Sequence, residues 1–398
     1  MIPSDQADHI LQHYPSKCTK CSRGLTSANL TPGSEPARHQ IWEIPPVRAD
    51  VTEHQLYRCS CPDCGEVSLA KLPLGVSPGA FGPRLTALAG LLTGQYRLSL
   101  RQCESLLQDG FGVAVSLGGI KGLENVISDS LASPVREVHA AIQKAPVVNA
   151  DDTGWREANQ RVVLWNANTP EMAIFLVTPK KDHASAQALL GENFAGILGV
   201  DRAKTYSFHD RRRLQSCWAH LDRHFQRMED RGGKSTAIGQ AGKAEVDCFF
   251  KLWREFEDKK LSRTVLQFAV GSVRVRMAQL LGRGIQCGDS GKTKSVHSKT
   301  AKTCANILEL LPAFFICCFH EGVDPTNNTS ERALRHPVQW RNTSFGTQSA
   351  AGSRFVERIL TTAETCRRQG RNMLEFLTKA VTALRHGLVA PSLLPGTG

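Results

Sequence analysis

Three groups of residues have the types and the spacing for chemistry. The first is the adjacent pair Asp151 and Asp152, which ends the mostly apolar run Ala145-Pro-Val-Val-Asn-Ala150. An acidic pair at the end of a buried strand is costly unless a metal or a cationic ligand neutralises it, so the pair reads as half of a metal site. Its other reading is a turn that Asp152 opens with Gly154. A further carboxylate, Asp201, closes the run Gly196-Ile-Leu-Gly-Val200, and Glu331 stands in the first turn of a helix candidate, Asn327-Asn-Thr-Ser-Glu-Arg-Ala-Leu-Arg335. Thr329 or Asn328 would cap that helix, whose dipole favours an anion there. A second group, Cys18-x2-Cys21 and Cys61-x2-Cys64 with Gly65, offers four thiolates to one tetrahedral Zn²⁺; a reduced, metal-free cluster is the alternative, and Cys59 is surplus. The third is Cys217-x2-His220, two residues of metal-ligating type with no third ligand evident nearby in sequence.

Each of these residues needs an element to carry it. Residues 147–151 read as a strand that Thr153 and Gly154 break, and residues 161–167 and 172–177 follow at hairpin spacing. A short helix over 184–190 is closed by Gly191, and 196–200 form a fourth strand. Three meandering strands, a helix and a strand ending in Asp is the order of an RNase H-like α/β core. In that core the first and fourth strands are neighbours, which brings Asp151 and Asp201 together. Carboxylates so placed share Mg²⁺ ions, because their repulsion demands a cation. Ahead of the core, residues 40–58 alternate as a strand pair between the two cysteine knuckles, 71–83 are a Pro- and Gly-rich linker, and 84–92 are a helix candidate. Ser99 caps a helix with the apolar face Leu100, Cys103, Leu106 and Leu107, ended by Gly110; Ser116 caps another carrying Ile120, Leu123 and Ile127. That pair is either a helix-turn-helix whose second helix enters a major groove or a plain packing unit.

Composition narrows the class. A chain of 398 residues with 41% hydrophobic and 22% charged residues is an ordinary globular composition, long enough for two or three domains. No run of about 18 apolar residues suggests a membrane span. The start, Met1-Ile-Pro-Ser-Asp-Gln6, lacks the blocks of a signal peptide, so a cytoplasmic location is expected, where the 13 cysteines stay reduced or metal-bound. Net charge is +12, and residues 202–300 hold 21 Lys and Arg against 10 Asp and Glu. Such a block suggests a polyanionic partner, most simply nucleic acid, with a solvated basic surface as the alternative. Arg211, Arg212, Arg213, Arg332, Arg335 and Arg341 are candidates for backbone contacts. Trp155 and Trp340 read as core residues or as stacking platforms for an unpaired base.

On Ala150-Asp-Asp-Thr-Gly-Trp-Arg156, residues 196–206, Cys217-Trp-Ala-His-Leu221 and residues 327–371, the chain resembles a transposase of the insertion-sequence-66 family. The last stretch contains Ser344-Phe-Gly-Thr-Gln-Ser349 and Gly352-Ser-Arg-Phe-Val-Glu-Arg-Ile-Leu360, and the similarity runs from Cys18 to about Leu377. The resemblance implies a DDE polynucleotidyl transferase acting on element ends and target DNA. Its RNase H-like core would follow a zinc-binding segment and carry a helical insertion between the second Asp and the Glu. The implied layout is a zinc-ribbon-like segment over 1–75, a small helical, helix-turn-helix-like DNA-binding region over 76–144, core over 145–225, basic helical insertion over 226–320, and core helices with the tail over 321–398. The family's triad falls on Asp151, Asp201 and Glu331, expected to hold Mg²⁺ or Mn²⁺, with Cys18, Cys21, Cys61 and Cys64 expected to hold structural Zn²⁺. Where the family commonly has Glu after the first Asp, this chain has Asp152. Members often open with a leucine-rich segment, whereas 17 residues precede Cys18 here, as in a short member or a truncated start. A homo-oligomer on DNA and accessory proteins of the same element are implied partners, and no membrane. A catalytically inactive DNA-binding protein or element remnant is the competing class, and a zinc hydrolase built on Cys217 and His220 a weaker third.

Overall fold

In the computed structural model, which describes residues 1–398 apart from 75, 77, 78, 202, 203, 289–294, 397 and 398, none of the first 70 residues is buried. Their strands are one hairpin, β1 (Arg58–Ser60) and β2 (Val67–Leu69), wrapped around Cys61 and Cys64. The strand pair expected over 40–58 is therefore displaced: residues 40–57 are irregular, and Ile41 and Trp42 stay exposed. Alternation specifies strands only where one face finds something to bury against. Parts of the expected linker (75, 77, 78) and of the basic block (202, 203, 289–294) lie outside the described residues.

Four helices come next, α1 (Pro83–Gly90), α2 (Leu100–Phe111), α3 (Leu117–Ser130) and α4 (Ala132–Ile142). Ser99 caps α2 in a box with Gln102, and Ser116 accepts from the Gly119 amide to cap α3. Helix α2 passes Gly110 and ends at Gly112, whose φ of +67° supplies the left-handed stop that Gly110 does not. Leu106 is exposed, leaving Cys103 and Leu107 as the buried face of α2. Helix α3 buries Ile120, Leu123 and Ile127, turns Gly118, Gly122, Asn125 and Asp129 outward, and pairs Lys121 with Glu124 at 2.7 Å.

The sheet that follows comprises β3 (Val147–Glu157), β4 (Gln160–Asn168), β5 (Ala173–Thr178), β6 (Ile197–Val200) and β7 (Leu214–Ser216), with α5 (His183–Leu190) between β5 and β6. Its order is β5-β4-β3-β6-β7; β4 is antiparallel to β3 and β5, whereas β6 is parallel to β3 and β7. Strand β3 does not break at Thr153 and Gly154. It runs on to Glu157 and turns at Ala158 and Asn159, both at positive φ, into β4. A two-residue turn of that hand matches strand twist, and nine consecutive register pairs outweigh one glycine. Strand β7 carries no signal in sequence: three residues are too few for a period.

Helices α6 (Trp218–Asp230), α7 (Lys234–Glu257), α8 (Arg263–Gln286), α9 (Val296–Glu309) and α10 (Ile316–Phe319) build a second hydrophobic cluster around Trp218, which stacks on Phe249 with ring centroids 3.8 Å apart. The chain then returns to the sheet through α11 (Asn328–Ser344), α12 (Ala350–Gln369) and α13 (Met373–His386). Helix α12 covers the β5 edge: Thr365, Thr361 and Glu357 accept from the amides of Ala173, Phe175 and Val177. An open row of strand donors is thereby satisfied. No helix among the described residues is long and apolar enough to cross a membrane.

Candidate active site

The register of β3 on β6 pairs Val147 with Ile197, Val148 with Leu198 and Asn149 with Gly199, a constant offset of 50 residues. Carried two residues further, that offset sets Asp151 beside Asp201. Gly196 permits the close entry into β6, since a Cβ there would lie 2.4 Å from the Ala145 carbonyl oxygen. Alternation along β3 puts Asp151 on the face of Trp155, which packs with Ala333 and Leu334 of α11. Asp152 points the other way, with Val148 and Ala150. Burial pushes the Asp151 carboxyl up to about 7; the Asp152 amide, donating to its Oδ1 at 2.8 Å, opposes this, and the carboxylates of Asp201, Asp152 and Glu331 add to it. All three expected acids therefore belong to one electrostatic neighbourhood.

Asp152 is not a turn residue. It lies inside β3, and its Oδ1 meets Lys181 Nζ at 2.6 Å. Burial raises its pKa, with Lys181 pulling the other way. Tyr206, 1% exposed, is raised well above the phenol range by burial and then by Asp152, Asp151 and Asp201; its hydroxyl has no hydrogen-bond partner among the described residues. Three hard carboxylate donors under mutual repulsion, with an orphaned hydroxyl in their field, fit a divalent cation such as Mg²⁺ or Mn²⁺.

Glu331 arrives on α11, whose N-cap is Asn327 rather than Asn328 or Thr329. The Asn327 side chain donates to the Ala150 carbonyl at 2.9 Å, and its backbone amide donates to Cys217 Sγ at 3.2 Å. One residue thus ties α11 to the strand position before Asp151 and to the start of α6. The Glu331 carboxylate accepts from Arg223 Nη2 at 3.1 and 3.2 Å, and its Oε1 lies 3.6 Å from His220 Nδ1. Among the described residues, the one group of three or more His, Cys, Asp or Glu donors within 4.8 Å of one another is Cys217, His220 and Glu331. Neither the three acids nor the four cysteines converge that closely. Sequence reading missed Asn327, Lys181 and Arg223. Arg223 had a signal, standing three residues after His220 on the same helical face; Lys181 had none.

Cys18 and Cys61 occupy matching turns. Each sulfur receives the amides two and three residues on, Lys20 and Cys21 in one knuckle, Asp63 and Cys64 in the other, and these hold both thiols below their ordinary range. Such turns are ready to bind a thiophilic metal, although the structure keeps the Cys18/Cys21 and Cys61/Cys64 pairs apart. Among the arginines, Arg332 and Arg335 are exposed on α11 and border a cleft with Gln95 and Phe175. Arg341 instead donates to the Thr153 hydroxyl and the Gly154 carbonyl, bracing β3. Arg211 pairs with Glu309 at 2.9 Å, Arg212 with Asp210 at 3.1 Å, and Arg213 donates to the Ala195 carbonyl. Trp155 is a core residue, edge-on to the half-buried Trp340 at 6.4 Å.

Residues 78–354 match the family described as "Transposase IS66 family", and residues 15–65 match one described as "zinc-finger binding domain of transposase IS66". Over 215 residues the chain is 27% identical to a protein of Sinorhizobium fredii (strain NBRC 101917 / NGR234) described as "Uncharacterized protein y4qI", covering 50% of this chain and 38% of that protein. The chain thus spans well under half the length of that relative.

Proposed function

The chain belongs to the IS66 transposase family, and on that premise we propose that it cuts DNA at the ends of an insertion sequence and joins the freed 3′ ends to target DNA by DDE chemistry on an RNase H-like core. The observation that carries this reading is the perturbed Asp151, a buried carboxyl lifted to about 7 within the field of Asp201 and Glu331. Asp151, Asp201 and Glu331 would hold the divalent cations. When bound, these would supply Lewis-acid charge relief to the phosphodiester.

The chain's own residues prepare the site. The Asp152 amide orients Asp151, while Lys181 keeps the Asp152 side chain on the other face. Asn327 fixes the start of α11 against β3, so that Glu331 approaches the strand end from above a rigid support. Arg332 and Arg335, exposed on the same helix, are suited to phosphate contacts that position the strand. The four cysteines at 18, 21, 61 and 64 would close on one Zn²⁺ and order the exposed N-terminal segment for DNA contact. Helices α6 to α10 fit a helical insertion between the second and third acids. Incubating the protein with a labelled fragment carrying an element end, with and without Mn²⁺, tests the proposal. Metal-dependent nicking at the end is expected; DNA binding without nicking at any Mn²⁺ concentration points to an inactive element remnant.

A further inference from the structure

We propose that Cys217, His220 and Glu331 form a second thiophilic metal site, of the Zn²⁺ type, at the N-terminus of α6. The three donors already lie within 4.8 Å of one another without an ion. They come from two elements held together by Asn327, so the cluster is built by the tertiary fold rather than by one flexible loop.

The sulfur receives backbone amides as those of the N-terminal knuckles do, but it is buried where they are open to solvent. Cys217 receives the amides of Ala219 and His220, two and three residues on, which is the pattern at Cys18 and Cys61, and the Asn327 amide joins them at 3.2 Å. Burial, the largest effect, raises the Cys217 thiol above its ordinary range, with these N–H donors pulling the other way and Glu331 adding to the rise, so an incoming metal must displace the thiol proton. At 1% exposure Cys217 is otherwise shielded from water, and its backbone is fixed by the Val200 carbonyl, which accepts from its amide at 3.0 Å. A sulfur, an imidazole nitrogen and one carboxylate oxygen suit Zn²⁺ and leave a fourth position open. Hard, oxygen-seeking Mg²⁺ would not choose this set.

One group competes. Arg223 Nη2 holds the Glu331 carboxylate, and Nη1 lies 3.3 Å from His220 Nε2, so the guanidinium occupies the place of a counter-ion to these donors. Metal binding displaces the thiol proton, takes the neutral imidazole through the lone pair of one ring nitrogen with the ring proton on the other, and requires Arg223 to swing away. Removing Arg223 should therefore tighten the site, the opposite of what removing a structural brace would do.

Zinc content of the full chain, purified without chelator and measured by inductively coupled plasma mass spectrometry, tests this without DNA or added Mg²⁺. It therefore stands or falls apart from the transposition reading, although Glu331 serves in both. His220→Gln and Cys217→Ser should each lose one zinc per chain relative to wild type, and Cys64→Ser should lose a different one, so that Cys64→Ser with His220→Gln loses both. Arg223→Gln should retain zinc against a competing chelator at least threefold better than wild type. Because Cys217 is buried and its variant can misfold, His220→Gln decides: an unchanged zinc count in a folded His220→Gln protein overturns the site, as does weaker retention in Arg223→Gln.

Discussion

A carboxylate lifted to about 7 by burial and by neighbouring acids costs the metal-free fold stability at neutral pH. Asp151→Asn keeps the shape and removes the charge. In excess chelator at pH 8 the variant should melt above wild type, by the equivalent of about 1–4 kcal/mol; calorimetry that finds it equal or lower contradicts the reading of Asp151 as a charge awaiting a cation. Glu357 permits an independent pH test away from the acids. Burial raises it from 4.5 to about 7, while it accepts from the Val177 amide at 2.6 Å. Because the folded state holds this proton more tightly than the unfolded chain, its contribution is present below about 4.5 and lost as pH rises through about 7. Glu357→Gln keeps an acceptor for Val177, so it should gain on wild type between pH 5 and pH 8 in chemical denaturation; parallel curves for the two proteins would refute the shift.

At the scale of elements, the site depends on how β3 meets β6. Gly196 has no room for a side chain: a Cβ would stand 2.4 Å from the Ala145 oxygen and 2.9 Å from the Pro146 oxygen, both backbone atoms that cannot rotate aside. Gly196→Ala should destabilise by about 1–3 kcal/mol and reduce cleavage through a shifted Asp201, and a urea midpoint equal to wild type would show that the strands are not so closely fitted. Much of this architecture was legible beforehand. The periodic runs marked β4, β5, β6 and the capped helices α2 and α3, and the position of Asp201 followed from the strand order. What escapes reading depends on long-range contacts: β7 lives only by pairing with β6, Asp152 is explained by Lys181 29 residues away, and Asn327, not among the cap candidates Thr329 and Asn328, is marked only by the Ala150 carbonyl beside it. The strand pair expected over 40–58 does not form because the fold gives that alternation nothing to bury against, and the hairpin around Cys61 and Cys64 stands in its place.

The whole molecule carries a charge of +12, unevenly distributed. Part of it is already neutralised, with Arg211, Arg212 and Arg223 paired to acids and Arg341 hydrogen-bonded to β3. Affinity for DNA should nevertheless fall steeply with salt, by about tenfold or more between 50 and 200 mM, as titration by fluorescence anisotropy would report; a flat response would remove the basic surface as the DNA contact. Binding alone does not separate a transposase from a remnant of one. The most direct measurement is strand transfer by Asp151→Asn, Asp201→Asn and Glu331→Gln, each assayed beside its own DNA affinity. Each variant should lose strand transfer by at least a thousandfold, roughly the loss of a major electrostatic contribution, while binding DNA within about threefold of wild type. Transfer near the wild-type rate by any one of the three would contradict the assignment of that acid, and with it the DDE reading of the site.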